Sequence, residues 1–479
     1  MLRRLTPRAR AVSLVAGAAV VYLAALGGAA AAGAAVSSAS PLTSATRAPA
    51  TPAASRTATP PAPTPTPEPR PVPAAALPAS PVRTCSVAGP ASDGRLAQFQ
   101  ARFVNAATGE VLFDRGGTTP NRAASVMKVL TSAAALAVLG PDYRFATTVV
   151  RGAEPGTVVL VGGGDPTLSR VPSGSESTYA GAPHLDDLAG QVRAAWDADP
   201  ATAGTPITTV VLDATYFGGE TWDPSWERKE LTMGYQARVT ALMVDGDRDD
   251  PYKGTSPRSD DPVGRAGAAF AAALGVGTTV VGTAPAGAPV LGTVRSQPVS
   301  TLVQQTLIVS DNTIAEALAR VTAIEAGAGN TFAALQDGLT AGLGAYGVDT
   351  AGVRIADGSG LSGNNAIPPS YLTELFRKVA AKEGALWALH DGLPVSGRTG
   401  SLRYADRFAG ASSRADGAVL AKTGWIDDGY TLAGIVHAAD GTTLTFAIYA
   451  LGPVSDSAKQ AIDALAAAAW DCGDNLSNR

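Results

Sequence analysis

Residues 122–140 read "RAASVMKVLTSAAALAVLG", a helical stretch so uniformly apolar that it has to lie inside a folded domain. Gly140-Pro141 closes it. In its first turns stands Lys128, flanked by Val126, Met127, Val129 and Leu130, with no polar face to carry an ammonium group into water. A solvated helix face would not be built this way, so the lysine needs an explanation. Ser125 precedes it by three residues, on the same helix face, where the two side chains can meet. Burial drives a lysine towards its neutral form, lowering its pKa by up to about 3–5 units when desolvation is complete. A neutral amine beside a serine hydroxyl is a general base beside a nucleophile. The plain alternative is a lysine whose stem is buried and whose head snorkels to the surface, and an isolated S-x-x-K pattern does not choose between the two.

Two further motifs do choose. "LIVSDNTIAEALAR" contains Ser310-Asp311-Asn312 between an apolar helix and a second helical run. "GAVLAKTGWIDDGYTLAG" contains Lys422-Thr423-Gly424 at the end of an apolar strand, with another strand just beyond. Only seven of the 37 basic residues are lysines, and two of the seven fall in these motifs. The order S-x-x-K, S-D-N, K-T-G is that of serine penicillin-recognising enzymes. Arg398-Thr399-Gly400 imitates the third motif, but it sits in a turn-rich stretch without a preceding β run.

Other features bound the reading. At 479 residues the chain has room for two or three folded regions. A net charge of −4, with no basic block beyond the extreme N-terminus, argues against a nucleic-acid partner. His184, His390 and His437 show no H-E-x-x-H spacing, so no zinc site is expected. "DGDRDDPYKGTS" from Asp245 resembles a calcium loop, yet Asp250 replaces its glycine and Ser256 its final glutamate, so no metal is assigned there either. "GGGDP" at 162–166 lacks the dinucleotide-binding pattern and reads as a tight turn.

The N-terminus places the protein outside the cytoplasm. "MLRRLTPRAR" is followed by an uncharged run over 11–36, which reads as an export signal or, left uncleaved, as a membrane anchor. Residues 37–84 are Pro/Ala/Thr-rich and read as an extended, disordered linker. The two cysteines, Cys85 and Cys472, bracket the rest, and in an oxidising compartment they suggest a disulfide clasp across the ends of the folded part. Strands are expected near 98–104, 109–114, 145–151, 157–161, 206–213, 418–423, 430–437 and 442–450, and helices from about 299 and over 454–470. The interval 129–309 between the first two motifs is far longer than a helical linker needs. It is read as an inserted β-rich domain over 148–295, flanked by 85–147 and 296–479 as the two parts of the catalytic domain.

The strings "SVMKVLTSAAAL", "GGGDPTL", "SDNTIAEALAR", "DGSGLSGNN", "LPVSG" and "AKTG" resemble the low-molecular-mass class C penicillin-binding proteins, the D-alanyl-D-alanine carboxypeptidase/endopeptidase family, from about residue 96 to 470. The resemblance implies an α+β fold: a transpeptidase/β-lactamase-like domain with a five-stranded antiparallel sheet flanked by helices, interrupted after the first motif by an inserted domain. It implies peptidoglycan stem peptides as substrate, β-lactams as covalent inhibitors and no cofactor. Ser125 would attack the carbonyl between the last two D-alanines while Lys128 takes its proton. The backbone N–H groups of Ser125 and Trp425 would form the oxyanion hole. Ser310 and Lys422 would relay a proton to the departing amine, Lys422, Thr423 and Gly424 would meet the terminal carboxylate, and Asn312 would orient the peptide. Asp311 would brace its helix. Glu230 occupies a place where an acid recognising a diaminopimelate amino group could lie. Two departures stand out: Trp425 follows the K-T-G motif where the family usually has a small hydroxyl residue, and the insert is short for the family. The alternatives are a β-lactamase, whose E-x-x-x-N arrangement the chain lacks, and a catalytically silent wall-binding or regulatory protein.

Overall fold

A computed structural model describes residues 82–478; the basic head, the apolar run at 11–36 and nearly all of the linker lie outside the described residues. The first strands, β1 (Gln98–Asn105) and β2 (Val111–Arg115), form a hairpin, and helix α1 (Met127–Val138) follows. The chain then leaves for a second sheet, through β3 (Ala146–Arg151), β4 (Thr157–Val161), α2 (Leu185–Ala198), β5 (Thr209–Asp213), α3 (Pro262–Leu274), β6 (Thr278–Val281) and β7 (Val290–Arg295). It returns with α4 (Val299–Val309), α5 (Asn312–Glu325) and α6 (Pro369–Ala380). Strands β8 (Val419–Ile426), β9 (Gly429–His437) and β10 (Thr443–Leu451) and helix α7 (Ala458–Cys472) complete it.

The catalytic sheet runs β2-β1-β10-β9-β8. Strand β9 pairs antiparallel with β10 from Gly429↔Leu451 to His437↔Thr443 and with β8 from Gly429↔Ile426 to Val436↔Val419. The hairpin joins at β10, where the Ala106 N–H donates to Thr443 O at 2.9 Å and Phe103 stacks on Phe446 with ring centroids 5.5 Å apart. These are the five strands expected from the sequence, with ends shifted by up to three residues. The near-continuous hydrophobicity of β9 and β10 follows from cover on both faces. Because side chains alternate, Leu432 and Val436 of β9 pack with Phe446, Ile462 and Leu465, the last two on α7. Ala433 and Ile435 point the other way, into a core with Leu130 of α1, Val303 of α4, Leu318 of α5 and Leu375 of α6. The helix 122–140 is thus buried as its composition requires.

The segment expected to be β-rich is mixed. Its sheet order is β6-β5-β4-β3-β7; β4, β5 and β6 run parallel, while β3 is antiparallel to β4 and β7. Parallel neighbours need a crossover, and helices α2 and α3, of 14 and 13 residues, supply it. The spacing of Leu185, Leu188, Ala189, Val192 and Trp196 in α2 is helical and was legible; all five are buried. Entry and exit lie side by side: the Phe145 N–H donates to Ser296 Oγ and the Ser296 N–H to Phe145 O, both at 2.9 Å.

Both ends of the described chain meet. Cys85 and Cys472 are bonded across 387 positions with Cα atoms 5.4 Å apart. A two-residue parallel ladder, Cys85↔Leu476 and Ser86↔Ser477, runs alongside, and Arg83 is ion-paired to Glu110 and Asp474. Val82 to Thr84, at the end of the expected linker, are therefore adjacent to this clasp. A cross-link closing so long a loop stabilises by about 2–5 kcal/mol, chiefly by restricting the unfolded chain. The Cys85→Ser/Cys472→Ser protein is accordingly expected to unfold at lower denaturant and temperature than the oxidised protein. Equal midpoints would show that the clasp adds nothing.

Candidate active site

Ser125 lies in a 3₁₀ turn, Ala124–Val126, that leads into α1. Ala124 is held at φ 48°, a left-handed conformation that an alanine adopts at a cost. One turn on, Lys128 is wholly buried. Its Nζ lies 2.9 Å from Ser125 Oγ, 2.6 Å from Asn312 Oδ1 and 2.7 Å from Ser359 O. Beyond Ser125, its polar partners come from the start of α5 and from a loop before α6. Their chemistry matters: the amide and carbonyl oxygens can only accept, whereas the serine hydroxyl can donate. A neutral amine has two N–H bonds and one lone pair, and it fits this set with the lone pair facing Ser125. Burial lowers the Lys128 pKa to about 8, against the opposing pull of Asp357, Glu316 and Asp311.

The second lysine sits opposite. Lys422, also fully buried, contacts Ser310 Oγ at 2.9 Å and donates to Thr423 O at 2.7 Å. Ser310 joins α4 to α5 in a left-handed conformation, φ 61°. Burial, and then the charge of Lys128, push the Lys422 pKa well below its ordinary value. The two ammonium groups repel each other, and around Lys128 that repulsion is opposed by the carboxylates of Asp357, Glu316 and Asp311. Asp311 caps α5, its Oδ1 accepting the Ile314 N–H at 2.9 Å. Asn312 is engaged at both ends, with Nδ2 donating to Tyr235 O at 3.2 Å.

Strand β8 brings its motif up against the first. A Cβ on Gly424 would lie 2.2 Å from Thr431 Oγ1 and 2.8 Å from Ala123 O, so only glycine lets the strand approach the turn that carries Ser125. Thr431 Oγ1 also donates to Ala123 O at 2.7 Å, tying β9 to the same turn. The Thr423 hydroxyl meets Ser401 Oγ at 2.7 Å. Arg398-Thr399-Gly400 stays outside, its threonine hydroxyl accepting the Val395 N–H, although Ser401 next to it reaches the site.

These residues border one cleft of about 1260 Å³, lined by Ser125, Ser310, Asn312, Thr423, Gly424 and Trp425. Trp425 is half exposed and meets Tyr235 edge-on, with centroids 6.5 Å apart. Glu230, on the short helix Lys229–Met233, lies on the same cleft wall, and partial burial raises its pKa. Among the described residues no group of three or more His, Cys, Asp or Glu is arranged to hold a metal ion.

Several contributors were not picked out from the sequence. Glu316, four residues after Asn312 and on the same helix face, accepts the N–H groups of Gly358 and Ser359 at 3.1 and 2.7 Å. It so fixes the carbonyl that holds Lys128. Asp357 accepts Gly360 N–H, Ser362 N–H, Asn365 Nδ2 and Trp226 Nε1, all within 2.8 Å. The string "DGSGLSGNN" was visible, but nothing in it says which backbone atom turns inward.

The model of the D-Ala-D-Ala carboxypeptidase 3 (S13) family matches residues 84–252 and 249–470. A protein of Mycolicibacterium smegmatis, Carboxypeptidase DacB, is 39% identical over 381 residues, covering 78% of this chain and 80% of the relative. A carboxypeptidase of Mycobacterium tuberculosis is 35% identical over 406 residues, covering 83% and 86%. The crystal structure of penicillin binding protein 4 from Haemophilus influenzae superposes with a TM-score of 0.64 at 19% identity, covering 77% of this chain and 95% of that one, a likeness of fold.

Proposed function

This chain belongs to the D-Ala-D-Ala carboxypeptidase 3 (S13) family, and on that premise we propose that it is a serine carboxypeptidase of peptidoglycan stem peptides, cleaving the terminal D-alanyl-D-alanine bond through an acyl-enzyme on Ser125. The observation that carries the reading is the three-partner setting of Lys128, whose lone pair in the neutral form has only the Ser125 hydroxyl to face.

Lys128 takes the Ser125 proton as Oγ attacks the penultimate D-alanine carbonyl. The backbone N–H groups of Ser125 and Trp425 receive the developing oxyanion, an interaction at full strength only in the tetrahedral state. The proton passes through Ser310 and Lys422 to the departing D-alanine nitrogen, the C–N bond breaks, and the acyl group stays on Ser125. Thr423, with Ser401 behind it, and the Lys422 charge meet the terminal carboxylate. Asn312, occupied at both ends, holds Lys128 rather than the peptide in the free enzyme. Water then attacks the ester and releases the shortened peptide. A cross-linked peptide entering the same cleft would undergo D,D-endopeptidase cleavage by the same steps, and a β-lactam would acylate Ser125. Glu230 supplies a carboxylate to the cleft wall for an amino group on the stem peptide's third residue.

Release of D-alanine by the purified protein from a peptide ending in D-Ala-D-Ala tests this reading. No release, with no penicillin label, would leave the silent wall-binding alternative; sustained hydrolysis of β-lactam without peptide cleavage would point to a β-lactamase. Acting on peptidoglycan requires export, for which residues 1–36 serve as signal or anchor. Among the described residues no helix is long and apolar enough to cross a membrane. N-terminal sequencing of the exported protein distinguishes the two: a chain beginning after residue 36 is cleaved, one retaining 11–36 is anchored.

A further inference from the structure

The calcium-like string at 245–256 holds no metal geometry, yet its backbone is the most unusual in the described chain. Asp245, Gly246 and Asp247 follow one another at φ 51°, 60° and 58°, three consecutive left-handed residues, two of them with side chains. All three are buried. Such a turn persists only where its surroundings dictate it, and residues of this kind concentrate at functional sites. The surroundings are explicit. Asp245 accepts Ser169 Oγ at 2.7 Å, and Asp247 accepts the Ser259 N–H at 2.8 Å and is paired with Arg265. Gly246 O accepts Arg258 Nη1 at 2.7 Å.

What the turn delivers is Arg248. Its guanidinium is buried and uses three nitrogens: Nη1 to Asp245 O at 3.0 Å, Nε to Gly254 O at 3.1 Å, and Nη2 to Asp311 Oδ2 at 2.9 Å. Tyr179 lies beneath it, ring centroid 4.6 Å away, and donates its hydroxyl to the same carboxylate oxygen at 3.1 Å. A Cβ at Gly246 would lie 2.5 Å from both Arg248 Nη1 and Tyr179 OH, so glycine there is required by the very pair that reaches Asp311. Asp311 in turn stands between Ser310, which meets Lys422, and Asn312, which meets Lys128.

We propose that Arg248 is a positioning residue for catalysis: carried on the left-handed turn between β5 and α3, it clamps Asp311 and thereby fixes the Ser310 and Asn312 contacts of both catalytic lysines. The excursion between α1 and α4 is then part of the catalytic apparatus and not only a wall of the cleft. The inference rests on the assignment of Lys128 as base. A planar fork can hold two carbonyls and a carboxylate at once, which a lysine ammonium on a flexible stem cannot match. Arg248 has an electrostatic consequence as well. Asp311 faces Arg248, Arg258 and Tyr179 on one side and Lys128 on the other, where Glu316, Asp357 and Lys422 also act. Removing the guanidinium leaves the Asp311 charge uncompensated towards Lys128, which then holds its proton to higher pH.

The test is acylation by a labelled penicillin, as limiting rate and half-saturating concentration across pH, on the full chain with melting checked. Arg248→Lys is expected to acylate about 10–100-fold more slowly, the scale of a small misplacement of reacting groups, with half-saturation and pH midpoint unchanged. Arg248→Met is expected to be slow too, with the midpoint raised; Arg248→Met/Asp311→Asn should remain slow with the midpoint no longer raised. A wild-type limiting rate in Arg248→Lys overturns the proposal, as does an unshifted midpoint in folded Arg248→Met. Should the methionine variant not fold, the lysine variant alone decides. Wild-type protein that takes no label fails the functional reading instead, and separates the two.

Discussion

Ser125→Ala protein is expected to take up no labelled penicillin and to release D-alanine at a rate reduced on the order of 10⁶-fold, the scale seen when a serine hydrolase loses its nucleophile. The labelling result is absolute because no other atom supplies the oxygen for that bond. The fold should survive: Ser125 is only partly buried, its hydroxyl contacts Lys128, and Lys128 keeps Asn312 and Ser359 as partners. The melting temperature should stay close to that of the unaltered protein. The outcome that would sink the assignment is equally concrete. Ser310 is a second serine at 2.9 Å from a buried lysine, so a folded Ser125→Ala variant that still takes label would move the nucleophile there.

Lys128→Arg is expected to lower the acylation rate about 10²–10⁴-fold, the contribution of a positioned general base. Arginine keeps a cation in place but stays protonated at every accessible pH. Lys128→Met, similar in bulk and uncharged, should lose about as much, which separates loss of the base from crowding by a guanidinium. In the unaltered protein the sign of the pH dependence follows from the same group. In the proposed mechanism Lys128 acts in its unprotonated form, and its pKa is lowered by burial to about 8, so acylation should climb as pH rises through about 8 and level off above. At pH 7 about a tenth of the molecules carry the neutral amine. Near-native acylation by folded Lys128→Arg, or a rate flat from pH 6 to 9, would make the lysine a fixed cation and remove it from proton transfer.

The sequence by itself determined the chemistry-bearing elements. A helix of Ala, Leu and Val has one place to go, and a lysine inside it three residues after a serine shares that serine's face; both statements hold before any coordinate is known. The five strands were legible for two reasons: the hairpin from its alternating runs around a turn, and the last three from apolar runs such as Tyr430–Val436 that suit a sheet covered on both faces. Two cysteines at opposite ends of the folded part, in a sequence that reads as exported, suggested the bond that joins Cys85 to Cys472.

Tertiary structure decided everything that passes through backbone atoms or across long separations. The carbonyl of Ser359 that holds Lys128, and Glu316 that holds its loop, carry no pattern in the sequence, because a carbonyl is present at every residue and only packing selects one. The helices α2 and α3 were passed over because strand patterning in 148–295 drew attention from a 3.6-residue period beside it, and parallel pairing becomes evident only when strands are seen together. The turn at 245–247 resembled a metal loop by composition, whereas its three left-handed residues are held by Tyr179, Ser169 and Arg258 from elsewhere in the chain and by Arg248 beside them. Local propensity cannot specify such a conformation: its cost is borne by contacts that close only after the chain has folded.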